Sequence, residues 1–124
     1  MRLMLDTQVM LWWLLGDRRL RLETRQLMAT SACTVSVASV WEVAIKHRIG
    51  KLPIDPVTFR DQSIAVGAAL LTINDEHAIE TARLPDVHED PFDRLIIAQA
   101  RVEGFSVVSS DARWSGYAVA LRRP

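Results

Sequence analysis

Cysteine is almost missing from this chain: Cys33 stands alone among 124 residues. An intramolecular disulfide is thereby excluded, and so is any multi-cysteine metal site. A reducing, cytoplasmic setting is the expectation. Lysine is nearly as scarce, with only Lys46 and Lys51 among 15 basic residues. Arginine suits bidentate phosphate and carboxylate contacts, although a compositional bias accounts for its excess equally well. Neither sign of charge dominates, because 15 acidic residues balance the 15 basic ones. The global positive field that gives a tight non-specific nucleic-acid binder its affinity is therefore lacking. An enzyme that meets its substrate at one local site is not excluded. Long hydrophobic runs are missing too. Asp6 interrupts the N-terminal run too early for a signal peptide, and Val9 to Leu15 is far too short to span a bilayer. A soluble protein with no membrane segment is expected.

What remains is an ordinary globular composition, 49% hydrophobic and 24% charged, at a length that suits one domain over 1–124 and not two cores. No repeat or linker divides it. Arg2 to Leu5 reads as a buried strand, and Thr7 to Leu15 as a helix closed by Gly16. A second helix covers Arg21 to Ala29, and Thr34 to Ser36 form a brief strand. Ser36 can cap the next helix, where Val37, Val40, Trp41, Ala44, Ile45 and Ile49 make an apolar stripe ending at Gly50. Asp55-Pro56 opens another helix, ended by Gly67. Ala69 to Ile73 is a strand candidate, and Asn74 caps a short helix through Ala82. Asp90-Pro91 starts a helix that runs to Glu103 before Gly104. Phe105 to Ser109 is a strand, with Tyr117 to Leu121 a final edge strand. Strands alternating with helices, without hairpin turns, imply an α/β layer structure: a mainly parallel sheet covered by helices on both faces.

Ligands of open α/β sheets bind beyond the carboxyl ends of the strands. Asp6 directly follows the first strand, and Asp111 follows the strand ending at Ser109. Glu42 lies about two turns into its helix and Asp93 in the first turn of its own. Each acid has a plain structural explanation. Asp6 can cap the helix at Thr7, Glu42 can pair with Lys46 one turn on, Asp93 suits a helix N-terminus, and Asp111 can start a turn. Together the balance changes, because two carboxylates about 4 Å apart repel by about 4 kcal/mol at an effective dielectric near 20. Gathering several needs a compensating cation. Oxygen donors without Cys or His favour hard ions, so Mg²⁺ or Mn²⁺ is the expected cofactor.

Leu5-Asp6-Thr7, Ser36 to Ile45 (SVASVWEVAI), Asp90 to Ala100 (DPFDRLIIAQA) and Val107 to Asp111 (VVSSD) together resemble a PIN domain. More narrowly, they are similar to the VapC toxins of bacterial type II toxin–antitoxin pairs. The Trp41-Glu42 helix and the Asp90 to Ala100 stretch carry most of the specificity, and the resemblance covers essentially the whole chain. It implies a PIN-like three-layer sandwich with a mainly parallel sheet of four or five strands between helices. It also implies a Mg²⁺- or Mn²⁺-dependent endoribonuclease, with Asp6, Glu42, Asp93 and Asp111 as catalytic and metal-holding residues. Ser109 and Thr7 match supporting hydroxyl positions. A homodimer and a cognate antitoxin that masks the acids are implied as partners, alongside the RNA substrate. Many relatives carry His where this chain has Gln8, so a substrate contact from that position is not carried over.

The expected mechanism is hydrolysis of an RNA phosphodiester, with Asp6 and Asp93 holding the metal most directly and a neighbouring carboxylate orienting water. His47, His77 and His88 are scattered and read as surface or helix-terminal residues. Trp12, Trp13, Leu11 and Leu15 make the first helix unusually apolar. Core packing accounts for most of that, with part of the face open to a second copy or a partner. Two other classes compete. A catalytically silent PIN-like interaction module would be favoured by loss of an acid, and none is lost. A phospho-accepting signalling domain needs a Lys after a late strand, and Ser109 to Arg113 contains none.

Overall fold

In the computed structural model, which describes residues 1–124, the chain opens with β1 (Arg2–Leu5), α1 (Thr7–Leu15), α2 (Leu22–Ala29) and β2 (Ala32–Ser36). It continues through α3 (Val37–Arg48), α4 (Pro56–Ala65), β3 (Ala69–Leu71) and α5 (Asp75–Glu80). It ends with α6 (Pro91–Glu103), β4 (Ser106–Val108) and β5 (Leu121–Arg122), while 3-10 turns cover Thr81–Arg83 and Ala112–Gly116. The five strands lie in the order β3-β2-β1-β4-β5, and every pairing is parallel. β1 is central: Leu3 sits opposite Cys33 on one side and Ser106 on the other.

Such a strand is covered on both faces, and Leu3, Met4 and Leu5 are fully buried. The pleat sends Leu3 and Leu5 into one core with Val9, Met10 and Phe59. Met4 points the other way, into a core with Ile96, Ile97, Val107 and Trp114. The chain moves outward from β1 through β2 to β3, then returns to lay β4 on the other side of β1. That reversal opens a crevice at the carboxyl ends of β1 and β4, the switch point at which α/β sheets bind ligands. The expected mainly parallel α/β sandwich is therefore present, with five strands.

The capping signals at Ser36, Asp55 and Asp90 hold where the sequence placed them. Ser36 Oγ accepts from Ala38 N–H, Asp55 from Thr58 N–H, and Asp90 from the N–H groups of Phe92 and Asp93. Gly104 ends α6 with φ 75°, a left-handed conformation that glycine adopts without a Cβ penalty. The last strand departs from expectation. It occupies Leu121–Arg122, not Tyr117 to Leu121, because Tyr117 follows the 3-10 turn and buries its side chain at 3% exposure. A β-forming aromatic there serves the core and not the sheet. The α3 stripe also turns out unexpectedly: Ala38, Ser39, Glu42 and Val43 face inward. Trp41, Ile45 and Ile49 stand 57%, 40% and 58% exposed. No helix is long and apolar enough to cross a membrane.

Candidate active site

The four expected acids come from four different segments and line one cleft of about 280 Å³, together with Asp90, Gln8, Lys46 and Arg113. Asp6 stands at the end of β1, where its backbone N–H continues the sheet to Val108 O at 3.0 Å. Its side chain makes no cap bond to α1, so the plain explanation for this acid fails. Oδ2 instead accepts from the buried Ser109 hydroxyl at 2.7 Å. Ser109 Oγ in turn accepts from Asp111 N–H at 3.0 Å, tying the two strand ends together. Thr7 lines the cleft but donates its hydroxyl to Ser39 Oγ at 2.8 Å, bracing α1 against α3.

Glu42 is 7% exposed. Its Oε2 binds Lys46 Nζ at 2.7 Å, so the foreseen one-turn ion pair forms, within the cleft. Its Oε1 is buried without any hydrogen-bond partner. Asp93, in the first turn of α6, is 8% exposed. Its Oδ2 accepts from Trp114 Nε1 at 3.3 Å and lies 3.2 Å from His88 Nε2. Asp111 caps the 3-10 turn through Arg113 N–H, and the Arg113 guanidinium folds onto both of its oxygens, the nearest contact 2.7 Å.

Proton affinities follow these surroundings. Burial raises Asp6 from 3.8 to about 7, with Asp93 and Glu42 adding repulsion against the Ser109 and Thr7 hydrogen bonds. Asp93 is also raised, by burial first and Asp90 second. Asp111 is lowered, chiefly by its hydrogen bonds from Arg113. The Glu42 contact holds Lys46 above its usual range. Carboxylates crowded into one cleft, with Asp6 raised by burial and its acidic neighbours and Glu42 carrying an orphaned oxygen, form an oxygen-donor set suited to a hard divalent cation. His88, Asp93 and Asp111 also bring one donor atom each within 4.8 Å of one another.

The histidine expectation holds at two positions and fails at His88: His47 is exposed and His77 is helix-terminal, though fully buried, whereas the His88 side chain is 4% exposed in a connecting segment. His77 Nδ1 accepts from Asn74 N–H at 3.2 Å while Nε2 meets Glu103 at 3.0 Å, so its ring completes the α5 cap. His88 touches Asp93 directly. No spacing signal pointed to it, since it lies in a connecting segment without periodicity. A larger open groove of about 620 Å³ runs along Asp86 to Glu89 and Arg94, and abuts the acids through His88.

A parallel α/β sheet with carboxylates gathered at its switch point defines an acid-centred α/β domain. The family model for the PIN domain matches residues 3–120, and the chain belongs to that family. No curated protein matches the sequence. Among solved structures, VapBC2 from Rickettsia felis bound to a promoter DNA fragment aligns with TM-score 0.74 at 14% identity, covering 99% of this chain and 98% of that one. DNA-bound VapBC from Salmonella typhimurium gives TM-score 0.74 at 16% identity over the same shares. VapBC-1 from nontypeable Haemophilus influenzae gives 0.66 at 15% identity, again covering 99% and 98%. At these identities the likeness is one of fold.

Proposed function

We propose that this chain is a Mg²⁺- or Mn²⁺-dependent endoribonuclease acting as the VapC-type toxin of a type II toxin–antitoxin pair. The carrying observation is the convergence of Asp6, Glu42, Asp93 and Asp111 on one cleft in which Asp6 is pushed up to about 7 and Glu42 Oε1 lacks a partner. These four residues would hold the ion, Asp6 and Asp93 most directly. When bound, it supplies a water of lowered pKa and charge stabilisation at the phosphoryl group. Ser109 fixes the Asp6 carboxylate through Oδ2. A carboxylate of the same cleft would orient the attacking water for in-line displacement. Lys46 and Arg113 at the cleft wall offer cations to RNA phosphate oxygens. Water adds across the phosphodiester, leaving a phosphomonoester end and a free hydroxyl.

An antitoxin partner is supported by the fold likeness to VapBC complexes and by the charge of the cleft. Lys46 and Arg113 already sit on Glu42 and Asp111. A cationic side chain from a partner would find the same acceptors. The homodimer is supported by the outward stripe of α3. Trp41, 57% exposed, forms one wall of a surface depression of about 420 Å³ that Thr81, Pro91, Arg94 and Leu95 also line. An exposed apolar stripe running into a hollow on one patch suits a two-fold contact, in which the same patch meets itself.

The deciding experiment incubates purified protein with RNAs that include structured transfer and ribosomal species, with Mg²⁺ or Mn²⁺, with EDTA, and as Asp6→Asn. Cleavage that needs the ion and is lost at least about 100-fold in the variant is expected, the scale of removing an essential general acid–base or metal-holding group. A folded wild type that cuts none of these RNAs would put the silent interaction module in its place.

A further inference from the structure

The geometry points to Tyr117 and His88 as a positioning relay that fixes the Asp93 carboxylate for its cation: Tyr117 orients the His88 ring, and His88 holds Asp93 Oδ2. The relay rests on the reading of Asp93 as a metal-holding residue. Its members come from three separate segments, the loop before α6, the first turn of α6, and the residue after the 3-10 turn at Ala112–Gly116.

Both ring nitrogens of His88 are engaged although its side chain is only 4% exposed. Nδ1 lies 2.5 Å from Tyr117 Oη and Nε2 lies 3.2 Å from Asp93 Oδ2. An ionised carboxylate only accepts, so Nε2 must carry the proton that faces Asp93. In the neutral ring Nδ1 is then an acceptor, and the phenol donates to it. One tautomer satisfies the whole chain of contacts. The rings of His88 and Tyr117 also pack at 5.5 Å between centroids with a 55° tilt.

Asp93 Oδ2 receives a second donor, Trp114 Nε1 at 3.3 Å, from a fully buried indole. Both bonds fall on Oδ2, which leaves Oδ1 for an occupant of the cleft. The backbone of Asp93 is pinned separately by the Asp90 cap at 3.2 Å. Carboxylate plane and main chain are thus fixed by different groups. The two loops approach closely: a Cβ on Gly116 would meet Val87 Cγ2 at 2.9 Å and force one of them to shift. Val87 and Gly116 immediately precede His88 and Tyr117. Outer partners of this kind orient a ligating group and tune its affinity for the ion.

Mn²⁺ binding to the purified protein, measured calorimetrically alongside thermal melts, tests the relay with His88→Ala, His88→Gln and Tyr117→Phe. Long-range ¹H–¹⁵N spectra of the imidazoles read the tautomer without any metal. The wild type should show His88 protonated at Nε2, and Tyr117→Phe should shift it toward a mixture. His88→Ala should weaken Mn²⁺ about 10- to 100-fold. His88→Gln, whose amide can still donate to Oδ2, should recover most of that loss. An Nδ1-protonated ring, or wild-type Mn²⁺ affinity in His88→Ala, overturns the relay and leaves the ribonuclease reading standing. A Gln variant no better than Ala also overturns it, in favour of His88 as a direct ligand. Should the Ala variant fail to fold, Gln and Phe carry the comparison. A wild type that binds no Mn²⁺ removes the metal site itself, and the relay with it.

Discussion

Asp6 carries an unusual load for a residue that is 7% exposed, because its carboxyl is raised from 3.8 to about 7 by burial and by two acidic neighbours. A raised carboxyl means that the folded state keeps a proton the unfolded chain has already released. Stability contributed by that proton is complete near pH 4, falls as pH climbs, and is gone above about 7. At about 1.4 kcal/mol per unit, the loss across the window is on the order of 4 kcal/mol. The lowered groups, Asp111, Asp55 and Asp17, act in the opposite sense but below the ordinary carboxylate range, outside this window. Asp6→Asn removes the charge and keeps an acceptor for Ser109. In EDTA at pH 8 the variant should therefore melt higher than wild type by at least about 4 °C, with the gap closing toward pH 4, although it cuts no RNA. A variant that melts lower at both pH values would mean that the ionised carboxylate gains more from Ser109 than burial costs it. Under the proposed metal-holding role of Asp6, function at this position opposes stability, as buried catalytic groups commonly do.

Helix α3 shows how far elements were legible. Its start at Ser36, its length and its apolar stripe were all in the sequence, because caps and 3.6-residue periodicity are local. Which face it buries was not. Half of the stripe, Trp41, Ile45 and Ile49, stands on the surface while Val37, Val40 and Ala44 are half-buried, and Ser39 and Glu42 go inward to meet Thr7 and the cleft. Buried polar contacts between distant segments leave no periodic trace. The Asp90-Pro91 start and Gly104 stop of α6 were read correctly for the same local reason. By contrast, His88 and Tyr117 meet only after folding, so neither spacing nor propensity announced them. Ser36 joins both kinds of information. Its Oγ caps α3 at Ala38 N–H and also contacts Gln99 Oε1 of α6, a partner no cap rule supplies. Ser36→Ala should lose the cap, about 1 kcal/mol, and strand a buried amide oxygen for a further 1–3 kcal/mol, roughly. Urea unfolding should show the combined loss, about 2–4 kcal/mol. A loss confined to the cap value would mean that Gln99 finds another donor.

On the scale of the whole molecule, the α/β alternation was legible, but the strand order was not. The order β3-β2-β1-β4-β5, by laying β4 beside β1, brings Asp6 and Asp111 together at the switch point. The same folding leaves Trp41, Ile45 and Ile49 in the open on one helix face. Trp41 is held edge-on against Phe92 at 5.0 Å, so it is presented as a fixed knob. The balanced charge of the chain provides no long-range repulsion between copies. Removing exposed side chains costs a monomer little, typically within about 0.5 kcal/mol each, whereas removing a buried aromatic anchor from an interface costs about 2 kcal/mol or more. Trp41→Ser combined with Ile45→Ser should therefore leave the circular dichroism spectrum unchanged. In sedimentation equilibrium it should shift a micromolar dimer to monomer. A wild type that stays monomeric throughout that range would remove the homodimer and leave the stripe to the antitoxin. Added antitoxin would then have to protect Trp41 fluorescence from a soluble quencher, and the double variant would have to lose affinity for it while keeping its cleft intact.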